Sequence, residues 1–206
     1  MSSSRAAAGR TAPVGRGRWF GSDRPGVRGR GRRPTIGRVS TDPYEIRPAA
    51  PADLDLLPPI ENSADRMFGA VGIEFPPGPT VVEQMVGRDA EILVAGDPPA
   101  GYAVLSPLDG ALHLDQISVH ADLAGQGIGT RLLRAVLEHA AAAGSPGVSL
   151  LTFRDIAWNA PWYARHGFAV LPEERWTPGL RGHWAAEAAA GLHDLGPRVV
   201  MWAPSS

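Results

Sequence analysis

Residues 127–143 carry the clearest hydrophobic periodicity of the chain. Apolar side chains recur there every three or four residues, and arginine and glutamate occupy the opposite face. The pattern predicts an amphipathic helix that ends at Gly144, because glycine commonly closes a helix in the left-handed conformation. Apolar runs at 111–119 and 147–153 predict a strand on either side. The order strand, helix, strand indicates an α/β unit.

Shorter patterned segments flank this unit and predict further elements. Pro58 and Pro59 interrupt the first of the predicted helices, because proline lacks the N–H that a helix interior requires. Strands are predicted at 44–47, 91–95, 102–106, 168–171 and 198–202, and helices at 52–68, 80–86, 157–165 and within 176–192.

The strand that precedes the long helix changes its alternation of apolar positions midway. Leu112 and Leu114 share one parity, whereas Ile117 and Val119 share the other. A shift of one residue is what a β-bulge produces, so a bulge is predicted near Asp115–Gln116. The alternative is that these two polar residues mark a frayed strand.

Three glycines, at positions 125, 127 and 129, follow that strand, and the helix starts among them. Glycine permits positive φ and close approach of the backbone to a ligand, while the first turn of a helix presents unpaired N–H groups and a partial positive charge. The segment therefore predicts a phosphate site, most directly for a pyrophosphate. The candidate contacts are Ala124, Gly125, Gln126, Gly127, Ile128, Gly129 and Thr130.

Two common nucleotide motifs fit this turn poorly. A dinucleotide-binding turn has G-x-G-x-x-G, but Thr130 holds the last position, and the next strand ends in Arg154 before any acidic residue. A P-loop needs a lysine, and the chain contains none. A dinucleotide oxidoreductase stays as a weaker alternative.

The turn, taken together with Asn159, Tyr163 and Gly167–Phe168, resembles the GCN5-related N-acetyltransferase (GNAT) superfamily over roughly residues 44–203. The segments 109–114 and 158–168 are similar to a bacterial branch whose substrate is unassigned. The resemblance implies an α/β fold with a mixed, mostly antiparallel sheet that splays between its fourth and fifth strands and is flanked by helices. It also implies acetyl-CoA as co-substrate, held in the splay.

The resemblance further implies roles for individual residues. Backbone groups of Ile117 and Val119 would bond the pantetheine arm, and an N–H near Ile117 or Ser118 would stabilise the oxyanion. Tyr163 would protonate the departing thiolate, or would only pack in the core. Asn159 would lie near the pantetheine, or would only cap its helix.

The turn departs from the family pattern at one position. The family usually opens it with Arg or Gln, whereas this chain has Ala124. One side-chain contact to the pyrophosphate is therefore lost, and Arg131 is a candidate to replace it.

A direct attack of the amine on the thioester, in a ternary complex, is predicted. The chain has no cysteine and no G-x-S-x-G segment, so neither an acyl-thiol nor an acyl-serine intermediate is supported. The attack needs a base, and Asp115, beside the predicted bulge, is the first candidate. His113, Glu61 and a chain of water molecules are the alternatives.

Other ligands are less well defined by the sequence. The remaining histidines, at 120, 139, 166, 183 and 193, show no metal-ligand spacing, so we expect surface or packing roles and no metal. The acceptor is expected to be a small-molecule or peptide amine. The loops at 69–79 and 176–192 carry no signature that identifies this amine more closely. A non-catalytic acyl-CoA sensor is the alternative to an enzyme.

The first 40 residues differ from the rest in charge. They hold 10 Arg and one acid, whereas the remainder holds 10 Arg and 20 acids, so the net charge of −1 combines a tail of +9 with a body of −10. Residues 1–42 are predicted to be a disordered tail, and residues 43–206 the acetyltransferase domain. The alternative for residues 1–38 is that they precede a natural start at Val39, and nucleic-acid binding by the tail is a less favoured role. Composition favours a bacterial, cytoplasmic protein with no membrane span. The predicted helix within 176–192 could serve the core, the acceptor pocket or a dimer contact, so a homodimer is possible.

Overall fold

The computed structural model describes residues 42–205, so the predicted tail lies outside the described residues. Seven strands form one sheet, in the order β1-β2-β3-β4-β5-β7-β6. All neighbours are antiparallel except β4 and β5, which are parallel. The strands are β1 (Ile46–Pro48), β2 (Glu91–Ala95), β3 (Gly101–Leu108), β4 (Ala111–Val119), β5 (Gly147–Phe153), β6 (Ala169–Val170) and β7 (Arg198–Pro204).

Five α-helices and several short 3-10 segments connect these strands. The helices are α1 (Leu57–Asp65), α2 (Val81–Met85), α3 (Ile128–Ala142), α4 (Ala160–Ala164) and α5 (Pro178–Ala189). The predicted α/β class, with a mixed and mostly antiparallel sheet flanked by helices, is confirmed. None of the helices in the range 42–205 is long and apolar enough to cross a bilayer.

The prediction of a helix broken at Pro58–Pro59 is wrong in its detail. These prolines lie at the start of α1, and a 3-10 segment, Pro51–Leu56, precedes them. Proline is tolerated in the first turn of a helix, because the N–H that it lacks would have no helical partner there. The pair therefore begins the helix.

The sheet is covered on both faces. Neighbouring residues of a strand point to opposite faces, and Leu93 belongs to the core beneath α3 whereas Val94 belongs to the core beneath α1 and α2. Leu132 in α3 is fully buried, which contributes about 1.5–3 kcal/mol relative to an exposed leucine. Leu180 of α5 packs beside Val200 on the same face as α1. Helix α3 thus covers one face of the sheet, and α1, α2 and α5 cover the other.

The predicted bulge in β4 is confirmed. Val104 of β3 pairs with Gln116, but Leu105 pairs with Leu114, which leaves Asp115 as the extra residue. The extra residue turns the second half of β4 relative to the first.

The parallel pairing of β4 with β5 stops early. Only Leu112 with Val148 and His113 with Ser149 are paired across the two strands. Beyond His113 the strands separate, so the edge of β4 from Asp115 to Val119 faces a gap.

Candidate active site

The glycine-rich turn joins the open part of β4 to α3. Gly125 and Gly127 have φ values of +80° and +79°, and Gly127 is the N-cap of α3. A Cβ atom at either position would meet no atom within 4 Å, so the space outside the turn is open. These glycines are therefore needed for the backbone conformation, and they leave room for a ligand.

Backbone N–H groups of the turn are available for an anion. Those of Gly125, Gly127 and residues 128–130 donate to no acceptor within residues 42–205. They lie at the N-terminus of a helix of 15 residues, where the helix dipole adds a partial positive charge. The turn therefore has the donors and the potential that a pyrophosphate requires.

Arg131 is already engaged by a carboxylate. Its guanidinium forms a bidentate ion pair with Asp42, which holds the pKa of Asp42 below its ordinary value. Replacing the contact that is missing at Ala124 would require this ion pair to break. The structure therefore gives no support to Arg131 as the replacement.

The open edge of β4 presents Ile117 to the gap. The Ile117 N–H donates to Gln116 Oε1 at 3.2 Å, a bond that a ligand acceptor can replace. The His120 N–H instead donates to Ala100 beside β3. Because N–H directions alternate along a strand, Ser118 shares the direction of His120, and Ile117 shares that of Val119. Of the two predicted oxyanion donors, the geometry favours Ile117.

Asn159 precedes α4 and does not cap it with its side chain. Its backbone carbonyl accepts from the N–H groups of Trp162 and Tyr163, at 2.8 and 3.0 Å, but the side chain makes no capping bond. Asn159 is thus the N-cap residue of α4 by position, but not through its side chain. The Asn159 Oδ1 is buried without a hydrogen-bond partner among the described residues, which costs about 1–3 kcal/mol. A donor on a bound ligand would remove that cost.

Tyr163 has its ring in the core. The ring packs edge-on against Phe168 and Trp162, with centroids 5.5 and 4.9 Å away, and the residue is 7% exposed. Burial raises the pKa of its hydroxyl above the ordinary value, although the nearby charge of Arg198 opposes this. The hydroxyl is thus protonated at neutral pH, as a proton donor must be.

Asp115 combines burial with an unused acceptor. Its Oδ2 is buried and has no hydrogen-bond partner within the part of the chain that the structure describes. Burial raises the pKa of the carboxyl, and a hydrogen bond from Ser106 opposes that shift. The carboxyl therefore holds a proton more readily than an exposed aspartate does, a property that suits a base.

Residues 88–170 match the family model described as an acetyltransferase (GNAT) domain. Over that segment the chain matches the GNAT superfamily. The match supports acetyl transfer from acetyl-CoA to nitrogen as the general activity.

Solved structures of acetyltransferases share the fold of this chain. The ribosomal-protein-S18-alanine N-acetyltransferase from Escherichia coli has a TM-score of 0.57 at 17% identity, with 79% of this chain and 94% of that one covered. A GNAT acetyltransferase from Elizabethkingia anophelis with acetyl-CoA bound has 0.54 at 17%, covering 79% and 99%. The PaiA N-acetyltransferase from Thermoplasma acidophilum, in complex with coenzyme A, has 0.52 at 14%, covering 78% and 98%. At these identities the likeness concerns the fold.

The other two side chains considered as the base, Glu61 and His113, are less suited to that role. Glu61 accepts from the N–H groups of Val81 and Val82 at 2.7 and 3.3 Å and from the Tyr102 hydroxyl, so it joins α1 to the start of α2. His113 is buried, and burial lowers its pKa to about 3, which makes it a weak base. Asp115 is the candidate that the geometry favours.

Two groups near the gap are absent from the sequence-based prediction. One is an aromatic cluster: Phe68 packs on Phe75 and Trp158, with centroids 5.1 and 5.7 Å away, and Phe75 packs on Phe153 at 6.2 Å. This cluster places the loop at 69–79 against the end of β5, beside Asn159. Aromatic residues brought together from distant segments leave no periodic signal in the sequence.

The other group is centred on His183 of α5. The possible ligand atoms of His113, Asp115 and His183 lie within 4.8 Å of one another, and the two imidazole rings have centroids 4.5 Å apart. The expectation that His183 has only a surface or packing role does not account for this neighbourhood. His183 is about 70 residues from His113 and Asp115 in the sequence, so sequence spacing does not predict this contact.

Asp65, at the end of α1, is a partly buried carboxyl group whose ionisation should affect the stability of the fold. Burial, with the nearby charge of Glu61, raises the pKa of Asp65 to about 6. The folded state therefore binds a proton more tightly than the unfolded state, so the contribution of this group to stability is greatest at low pH and falls as pH rises through 6. We expect Asp65→Asn to increase the free energy of unfolding by about 1–2 kcal/mol at pH 7.5, a value reduced by partial solvation, and by little at pH 4.

Urea unfolding at the two pH values measures this difference. The exposed Asp55→Asn change is the control and should alter neither value. An equal gain for Asp65→Asn at both pH values would show that ionisation of Asp65 is not its source.

Proposed function

We propose that this GNAT protein transfers an acetyl group from acetyl-CoA to a primary amine of a small molecule or a peptide, by direct attack in a ternary complex. The observation that carries the proposal is the gap between β4 and β5, with unpaired N–H groups of the glycine-rich turn at one end. The gap offers an edge that an extended arm can pair with, and the turn offers donors for its phosphates.

Three sets of polar groups would each bind one part of acetyl-CoA. The free N–H groups within residues 124–130 would bind the pyrophosphate. The Ile117 carbonyl and the backbone of Val119 would pair with the pantetheine arm, and the Ile117 N–H would turn from the Gln116 side chain to the acetyl carbonyl. The orphaned Oδ1 of Asn159 would accept a hydrogen bond from an amide of the same arm. Acetyl-CoA supplies the thioester, and the residues of the protein hold it and move the protons.

The reaction then requires two proton movements. Asp115 would accept a proton from the amine as its nitrogen attacks the acetyl carbon and the C–N bond forms. The Ile117 N–H would stabilise negative charge on the carbonyl oxygen. As the C–S bond breaks, Tyr163 would give its proton to the leaving thiolate. Burial raises the pKa of Asp115, which is the direction that a base requires. Burial also raises the pKa of Tyr163, which keeps its hydroxyl protonated until the thiolate forms but makes it a weaker acid.

A calorimetric titration of the full chain with acetyl-CoA tests the proposal, with NADH as the control ligand. We expect one acetyl-CoA per chain with micromolar affinity, equivalent to about 8 kcal/mol, and no NADH binding. Amines can then be screened by thiol release, because a chain without cysteine contributes no thiol of its own. Failure to bind acetyl-CoA would overturn the proposal, and a preference for NADH would favour an oxidoreductase.

A negative charge placed in the turn should abolish tight binding. Gly127→Asp puts a carboxylate beside the expected pyrophosphate, and we expect the Kd of acetyl-CoA to rise by about 100-fold, or about 3 kcal/mol. Calorimetry on the full chain measures the change. Aspartate tolerates positive φ better than most residues and is favourable near a helix N-terminus, so the fold should persist.

Gly144→Asp is the matched control. Gly144 also has a positive φ, of +69°, and a Cβ atom there would meet no atom within 4 Å, but it lies beyond the other end of α3. This variant should bind acetyl-CoA as the wild type does. Equal affinities in the two variants would place the phosphates elsewhere.

A further inference from the structure

The side chains of His113, Asp115 and His183 lie close together, and acetyl transfer does not require this arrangement. We propose that these three side chains form a binding site for a divalent transition-metal ion. The site joins β4 to α5.

The hydrogen bonds of His113 leave one ring nitrogen available as a ligand. His113 Nδ1 lies 2.8 Å from Ser149 Oγ, and Ser149 Oγ lies 3.4 Å from the Leu112 carbonyl oxygen. Since the carbonyl can only accept, the Ser149 hydroxyl donates to it and accepts from Nδ1–H. The His113 Nε2 then carries a lone pair. Metal-binding histidines have this arrangement, in which the second nitrogen donates to a fixed partner.

Asp115 supplies the anionic ligand. The bulge sets this residue apart from the regular pairing of β4, and its Oδ2 is buried without a hydrogen-bond partner among residues 42–205. A buried carboxylate oxygen with no donor is costly, and a metal ion removes that cost directly. The charge of a metal also outweighs the burial that raises the pKa of the Asp115 carboxyl.

The start of α5 is fixed relative to β4, which keeps His183 in place. The Gly179 N–H donates to Asp109 Oδ2 at 2.6 Å, and a Cβ at Gly179 would lie 2.5 Å from the Leu108 side chain. Asp109 begins the turn that leads into β4. The helix therefore approaches the strand closely at this point, and His183 follows one turn later.

The donor set indicates which ions fit. Two imidazoles and one carboxylate suit zinc, iron(II) or cobalt(II), whereas magnesium and calcium prefer oxygen ligands. Ligands of tetrahedral zinc lie about 3.3 Å apart, from bond lengths of about 2.0–2.1 Å. The ligand atoms now lie within 4.8 Å of one another, so they would have to approach by up to about 1.5 Å. The partly exposed side chains of Asp115 and His183 allow this movement.

Occupation of the site has a consequence for catalysis, and this consequence rests on the proposed function. A carboxylate bound to a metal is not free to accept a proton from the amine. Zinc is therefore expected to inhibit acetyl transfer, and a chelator to restore it. Metal binding itself does not depend on the proposed enzyme activity.

The test uses the full chain, purified without a polyhistidine tag and stripped with a chelator. Cobalt(II) is titrated while visible absorption is recorded, and zinc(II) is then added as competitor. We expect one cobalt ion per chain, with d–d bands that zinc removes. His183→Ala should weaken binding at least 100-fold, and Ser149→Ala, which removes the partner of Nδ1, by about 10–100-fold. His139→Gln, on α3, should bind as the wild type does.

The absence of cobalt bands in the wild type would overturn the proposal without any variant. So would equal cobalt affinity in wild type and His183→Ala. Both measurements need no acetyl-CoA, and acetyl transfer is assayed separately in the presence of chelator. A failure of the metal site is thus distinguishable from a failure of the proposed acetyltransferase function.

Discussion

Replacement of Asp115 by asparagine is expected to lower kcat for acetyl transfer by about 10²–10⁴-fold, the usual contribution of a positioned general base. Asparagine keeps the shape of the side chain and removes its ability to accept the proton of the amine. The Kd for acetyl-CoA should not change, because the proposed contacts to the co-substrate come from the turn and the backbone edge of β4. Thiol release in the presence of chelator measures kcat, and calorimetry measures Kd.

The stability of this variant separates catalysis from folding. Burial raises the pKa of Asp115, so the neutral asparagine should be tolerated at least as well as the charged aspartate. Asp55→Asn, at an exposed position, is the control and should retain full kcat. A kcat for Asp115→Asn within about threefold of the wild type would assign the proton to solvent or to another group.

Removal of the Tyr163 hydroxyl should have a comparable effect on the other proton transfer. Tyr163→Phe retains the ring that packs on Phe168 and Trp162, and it deletes only the proposed donor to the thiolate. We expect kcat to fall by about 10²–10⁴-fold with the KM for acetyl-CoA nearly unchanged. Initial rates over a range of acetyl-CoA concentrations measure both constants.

Tyr102→Phe is the matched control for a lost tyrosine hydroxyl. Tyr102 bonds to Glu61 in the core beneath α1, so its loss should lower the free energy of unfolding by about 1–3 kcal/mol and leave kcat intact. If Tyr163→Phe also kept its kcat, the acid would be another group. If neither the wild type nor the variant turned over any amine while both bound acetyl-CoA, a non-catalytic acyl-CoA sensor would be favoured.

Features encoded by neighbouring residues were predictable from the sequence. The change of parity from Leu114 to Ile117 predicts the bulge at Asp115, because alternation along one strand is a local property. The spacing of apolar residues predicts α3, and the structure places its start at Ile128 and its end at Ala142. The glycines before α3 adopt the positive φ values that their use in a phosphate-binding turn requires.

Features that depend on packing between distant segments were not predictable. Glu61 was a candidate base from its helix position, but the N-terminus of α2 takes up its carboxylate. Asn159 stands at the N-cap of a helix, yet its side chain makes no capping bond. His183 meets His113 only because the fold brings α5 beside β4. In each case the deciding partner belongs to another element, so no spacing rule reports it.

The separation of β4 from β5 would also make the stability of the protein depend on its proposed co-substrate. The sheet has an interior edge, and the proposed pairing of the pantetheine arm with that edge would add a strand. Binding at 100 times the Kd adds about 2.7 kcal/mol to a folding free energy that is typically only 5–15 kcal/mol. The population of opened, protease-sensitive molecules would then fall about 100-fold, so the chain would persist longest where acetyl-CoA is plentiful.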